Sequence, residues 1–143
     1  MKILFVCENN ISRSQIAETF FNGLVKDKKH KAGSAGVRDK HDGDTIEEIS
    51  KLTVRSMKEA GLDIGKKKSK KITKKKVKDA DFVVMMNHNF DFPDYVKESK
   101  RLILWDVEDP KGRDLNVFIK IRDRIHLLVN RLIDEVDMVS KEA

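Results

Sequence analysis

Lys2-Ile3-Leu4-Phe5-Val6-Cys7-Glu8-Asn9-Asn10-Ile11-Ser12-Arg13-Ser14-Gln15-Ile16-Ala17 carries a strand, a short loop and the opening of a helix. The apolar run before Cys7 reads as a buried strand. Beyond it, Ile16, Ala17, Phe20 and Leu24 recur at helical spacing over residues 13–26. A strand that turns straight into a helix builds an anion cradle at the turn. Loop N–H groups can point inward, and the helix N-terminus adds free donors and the positive end of its dipole.

The side chains in the turn suit that task. A thiol facing a positive cavity is favoured as thiolate, which is the nucleophilic form. Arg13 offers a planar fork that matches two non-bridging oxygens of a phosphate. Ser14 can donate its hydroxyl to the sulfur. Asn9 and Asn10 suit a tight loop that needs left-handed backbone without glycine. The expected chemistry is attack by Cys7 on a phosphate-like oxyanion clamped by Arg13. Backbone groups of Glu8, Asn9, Asn10, Ile11, Ser12 and Ser14 would line the cradle.

Outward from this turn, strands and helices alternate. His30–Gly36 reads as a second strand ending in a turn. Residues 45–60 carry Ile46, Ile49, Leu52, Met57 and Ala60, one amphipathic helix with Gly61 after it. A short lysine-rich helix is expected over Thr73–Asp79. Phe82-Val83-Val84-Met85-Met86 is a third strand and Arg101–Trp105 a fourth. Residues 115–138 form a long amphipathic helix. Near-continuous apolar strands between helices predict an α/β fold, a parallel sheet covered on both faces, with the ligand site at the strands' carboxyl ends.

The chain has 143 residues, which suits one domain over 1–143. No apolar run approaches the ~18–20 residues of a membrane span. The first apolar stretch is also too short for a signal segment, so a cytoplasmic setting without a membrane partner is expected. Cys7 is the only cysteine, which fits a reducing compartment. Eight of the eleven residues from Lys66 to Lys76 are lysine, and without them the net +6 becomes −2. The basicity is therefore a local stripe, read as a solvated loop and helix start. No aromatic interleaves the lysines, which argues against a base-stacking nucleic-acid surface. His30, His41, His88 and His126 lack ligand spacing, and Asp39, Asp42 and Asp44 lack a calcium-loop pattern. Both groups read as surface residues. The chemistry calls for no metal and no cofactor.

The segments FVCENNISRSQIAE at 5–18, GSAG at 33–36, DFVVMMN at 81–87 and WDVEDP at 105–110 together resemble the low-molecular-weight protein tyrosine phosphatase family and its arsenate reductase relatives. The resemblance implies a three-layer α/β/α fold with a four-stranded parallel sheet. It implies that Asn10 and Ser34 hydrogen-bond to brace the loop and that Ser14 tunes the thiolate. It also implies that Asp109, in the Asp109-Pro110 step, is the general acid. An acid of this kind protonates the leaving oxygen and then serves as base for water. Asp106 and Glu108 are its neighbours and rank below it.

Phosphate and arsenate share shape and charge, so one loop can hold either. Reducing arsenate needs two electrons from a second thiol. Where the family's thioredoxin-coupled reductases carry two further cysteines, this chain has Asn87 and Phe92, so only an external thiol reductant could serve. Val37 after GSAG, and Leu104-Trp105-Asp106, look more like the reductase branch. Lys111 and Gly112 follow Asp-Pro where the phosphatases commonly carry an aromatic residue. Tyr95 or Trp105 could supply a ring wall instead. A loop-bracing histidine is replaced by lysines. The reading is a cysteine-dependent phosphatase acting on phosphorylated protein or small-molecule esters of the phosphotyrosine type. The alternatives are an arsenate reductase using an external thiol and a non-catalytic phosphate- or nucleic-acid-binding module.

Overall fold

Alternate residues of a strand face opposite sides of a sheet, and this chain has apolar residues for both. The computed structural model describes residues 1–86 and 91–142. In β1 (Lys2–Cys7), Ile3, Phe5 and Cys7 enter one core while Leu4 and Val6 enter another. In β3 (Phe82–Met86) the same alternation sends Phe82, Val84 and Met86 to the first core and Val83 and Met85 to the second. With β2 (Lys31–Gly36) and β4 (Leu102–Trp105) they form a four-stranded parallel sheet in the order β2-β1-β3-β4.

The first core lies under α1 (Arg13–Leu24), α3 (Lys51–Glu59) and the 28-residue α6 (Leu115–Glu142). Phe5 anchors it, with ring centroids 6.2 Å from Phe21 and 5.7 Å from Trp105. Burial of one such side chain contributes about 1.5–3 kcal/mol. The second core is smaller and takes Val77 from α4 (Lys74–Asp79) and Val96 from α5 (Asp94–Lys97). Helices on both faces give the expected three layers. No helix among the described residues is long and apolar enough to cross a membrane.

Two expectations need correction. The predicted helix over 45–60 is two helices, α2 (Ile46–Ile49) and α3, broken at Ser50. Ser50 is extended (φ −144°, ψ 99°), and its hydroxyl accepts from the Thr53 N–H, so it caps a new helix in mid-pattern. His30 is not a surface residue. It is 3% exposed, and its Nδ1 lies 2.8 Å from the Met1 amino group. His88 lies outside the described residues.

The strand order reverses at β1. The chain passes from β1 to β2 on one side, then crosses to β3 on the other. Sheets of this kind bind ligands in the crevice outside the carboxyl ends of the strands at such a reversal. The turn after Cys7 sits at that crevice.

Candidate active site

The loop between β1 and α1 is folded tightly against the end of β2. A Cβ on Gly36 would fall 2.7 Å from the Asn9 carbonyl carbon, so only glycine fits there. Asn10 takes φ +56° and is the only non-glycine with positive φ among the described residues. Asn9, expected to share that conformation, does not. Asparagine tolerates the left-handed region better than most residues.

A directional chain of hydrogen bonds runs through this loop. The Lys70 backbone N–H, which can only donate, gives its proton to Asn10 Oδ1 at 2.8 Å. That fixes which end of the Asn10 amide is oxygen. Asn10 Nδ2 therefore donates to Ser14 Oγ at 2.8 Å. Ser14 Oγ lies 2.9 Å from Cys7 Sγ. With its oxygen accepting from Asn10, the Ser14 hydroxyl is free to direct its proton at a thiolate.

Ser12 is the N-cap of α1, yet its hydroxyl makes no cap bond. It pairs instead with Thr53 Oγ1 at 2.7 Å. The first-turn N–H groups of α1 thus stay uncapped by that side chain beside Cys7, as an anion site requires.

Arg13 is 3% exposed. Its guanidinium donates to the Met86 and Val107 carbonyls at 3.3 and 3.1 Å, at the ends of β3 and just past β4. Its other terminal nitrogen lies 3.7 Å from Asp109 Oδ2. Asp109 Oδ1 accepts from the Lys111 N–H at 3.1 Å, and Pro110 is buried beside it. The neighbouring acids are turned elsewhere. Glu108 pairs with Arg113, and Asp106 is exposed.

Cys7, Asn9, Ile11, Ser12, Arg13 and Asp109 border one cavity of about 860 Å³. Lys40, His41, Asp44 and Glu48 to Leu52 wall one side, and Lys111 to Arg113 with Phe118 another. The other predicted site residues lie outside it. Glu8 pairs with Arg38 at 2.6 Å, while Asn10 and Ser14 are fully buried supports beneath the loop. Ser34 does not reach Asn10. Its hydroxyl donates to Glu18 Oε1 at 2.9 Å. Tyr95 and Trp105 do not line the cavity; Trp105 packs on Phe5, and Tyr95 packs with Phe92 on the second core. Asn87 lies outside the described residues. Among those residues no group of three His, Cys, Asp or Glu side chains is placed to hold a metal ion.

The part missed by sequence reasoning is the first half of the lysine run. It is not a solvated loop. Its backbone is a strap across the back of the loop. Ser69 Oγ donates to the Asn9 carbonyl at 2.8 Å, and Gln15 Nε2 donates to the Lys68 carbonyl at 3.0 Å. Gly36 N–H donates to the Lys70 carbonyl at 2.7 Å, and Ile72 N–H returns to Gly36. On its other edge the strap exchanges bonds with Gly43, Asp44 and Ile46, in and beside the cavity wall. The buried Glu18 pins it by pairing with Lys67, with Lys70 at 3.9 Å. Burial lowers the Lys70 pKa; Glu18 opposes that shift, and Lys67 and Lys76 add to it. The available signal was a glutamate one turn beyond Ser14 on the apolar face of α1.

The comparisons with known proteins agree with this geometry. An arsenate reductase of Staphylococcus aureus is 28% identical over 132 residues, covering 89% of this chain and 92% of that protein. A glutaredoxin arsenate reductase of Synechocystis sp. is 27% identical, covering 94% and 98%. The crystal structure of a low molecular weight protein tyrosine phosphatase from T. tengcongensis superposes with a TM-score of 0.80. It is 31% identical, with 94% of this chain and 99% of that one covered. The family model for low molecular weight phosphotyrosine protein phosphatase matches residues 2–142. With a match over that length, and with the thiol, the guanidinium and the Asp-Pro carboxylate on one cavity, the chain belongs to the low molecular weight phosphotyrosine protein phosphatase family.

Proposed function

We propose that the chain hydrolyses phosphate monoesters through a cysteinyl-phosphate. The Cys7 thiolate attacks phosphorus in line, forming the S–P bond as the P–O bond to the leaving group breaks. Arg13 and the N–H groups of residues 8–14 hold the equatorial oxygens. Asp109 gives its proton to the leaving oxygen. Water then attacks phosphorus and passes a proton to Asp109. The S–P bond breaks, and inorganic phosphate leaves. Catalysis is mainly positioning and electrostatic stabilisation.

The observation that carries this reading is Asp109, 3.7 Å from Arg13 on the cavity that Cys7 borders. Hydrolysis of an ester needs an acid at the leaving oxygen. Capture of arsenate by a thiol also expels an oxygen, as water, that the same acid can protonate, but it has no second step in which that group must act as base for an attacking water.

Arsenate reduction is the second reading, supported by the arsenate reductases among the relatives. It requires that Cys7 hold the arsenic and that an external thiol supply the remaining electrons, since the chain has one cysteine. The name glutaredoxin arsenate reductase points to the kind of thiol donor to test.

The deciding experiment gives wild type and Cys7→Ser an aryl phosphate, and separately arsenate with glutathione and glutaredoxin. Cys7-dependent phosphate release supports the phosphatase. No ester turnover together with repeated, thiol-dependent arsenite production would replace it by the reductase.

A further inference from the structure

The cavity is much larger than one phosphate. At about 860 Å³ it falls in the range that holds a whole drug-sized ligand. Its walls therefore say something about what is attached to the phosphate.

Charge is the main feature of those walls. Lys40 follows β2, Lys51 opens α3, and Lys111 stands two residues past Asp109; all three are exposed and line the cavity. None of them forms an ion pair among the described residues. The other charged groups of the lining are largely answered. Arg13 faces Asp109, Arg113 pairs with Glu108, and His41 lies 3.4 Å from Asp44. Among the described residues Glu48 and Asp44, whose partner is an imidazole, are the carboxylates left, against three lysines. Among the described residues the same walls form no ring slot. Phe118 is the only phenyl, phenol or indole among the described residues of the lining, and it is 4% exposed.

We propose that the site selects phosphate esters carrying a second anionic group, a carboxylate or another phosphate, held by Lys40, Lys51 and Lys111. This rests on the reading that the Cys7 loop binds phosphate. Lysines are point charges on flexible stems, so they fit an anion whose position is not fixed. Charge from three sides replaces ring stacking as the basis of selection.

Binding tests this without requiring turnover. Calorimetry would compare benzylphosphonate with 4-carboxybenzylphosphonate on the wild-type protein. A second arm would use phosphonate peptides flanked by glutamate or by glutamine. The extra anion should tighten binding about five- to tenfold at low ionic strength, and added salt should shrink the gap. In Lys40→Gln/Lys51→Gln/Lys111→Gln the ratio should fall to about one, with the thermal midpoint confirming folding. A gap in the first arm identifies small-molecule esters, and a gap in the peptides alone identifies acidic phosphopeptides. Equal affinities in both arms would overturn the proposal, as would a gap that survives the triple substitution. If the phosphonates bind equally while an aryl phosphate is still hydrolysed, the phosphatase reading stands and this inference alone falls. If no phosphonate binds, both fall.

Discussion

Two loops meet at the cavity, and they are built in opposite ways. The loop after β1 is half-buried to buried and held from behind at several points: Asn10 by Lys70 and Gln15, Asn9 by Ser69, Ser14 by Asn10. The loop after β4 is exposed at Asp106, Glu108, Lys111, Gly112 and Arg113, and is tied by the surface pair Glu108–Arg113. Buried hydrogen-bond networks rigidify, whereas exposed ion pairs contribute little. The contrast matches two duties. The thiolate cradle has one correct geometry for every phosphate. The acid must meet leaving groups of different shapes.

Substitutions can break that contrast or sharpen it. Arg13 joins the two loops, so Arg13→Lys should cost most. It keeps the charge and loses the fork, and kcat should fall about 10²–10³-fold, the size seen when an oxyanion donor is removed. Steady-state hydrolysis of an aryl phosphate measures it, and a loss below threefold would mean that the fork is not used. Asp109→Ala should slow poor leaving groups about 10²-fold and good ones far less. A uniform loss across a leaving-group series would remove Asp109 as the acid.

The next effect belongs to the strap. Glu18→Gln leaves Lys67 half-buried without its partner, and breaking such a pair costs about 3–5 kcal/mol when fully buried. Here the loss in urea unfolding should be smaller, about 1–2 kcal/mol, because the Lys67 side chain is 30% exposed. The affinity for inorganic phosphate should drop with it. Loss of stability without loss of phosphate affinity would separate the strap from the loop.

The smallest effect is a pH slope. Burial holds the Lys70 pKa below 10.5 in the fold. Below that lowered value both states are protonated, and the fold bears the cost of the buried charge. As pH rises towards 10.5 the folded state loses its proton first, the unfolded chain binds more protons, and stability rises. Lys70→Met should flatten that rise in thermal midpoints. An unchanged slope would mean that Lys70 is fully solvated.

The same contrast explains how much could be read in advance. Strands and the outer helices were legible because apolar periodicity records burial directly, as Ile3, Phe5 and Cys7 against Leu4 and Val6 illustrate. Residue types singled out Cys7 and Arg13, the resemblance singled out Asp109, and the three border one cavity. Ser50 was passed over because its capping hydroxyl sits inside an otherwise continuous amphipathic pattern. The strap was hidden for a different reason. A run of lysines advertises side-chain charge, whereas its contacts with the loop are made mostly by main-chain atoms of Lys68 and Lys70, which any residue but proline could supply. The resemblance predicted the wrong partner for Ser34, since nothing in GSAG indicates that Glu18 lies closer than Asn10.

The proposal stands or falls on a covalent bond to one sulfur. Asp109→Ala protein mixed with an aryl phosphate, quenched in acid within one turnover and mapped by mass spectrometry, should carry a single phosphoryl group on Cys7, and Cys7→Ser should release no aryl alcohol. Aryl phosphate hydrolysis that persists at the wild-type rate in Cys7→Ser would contradict the account.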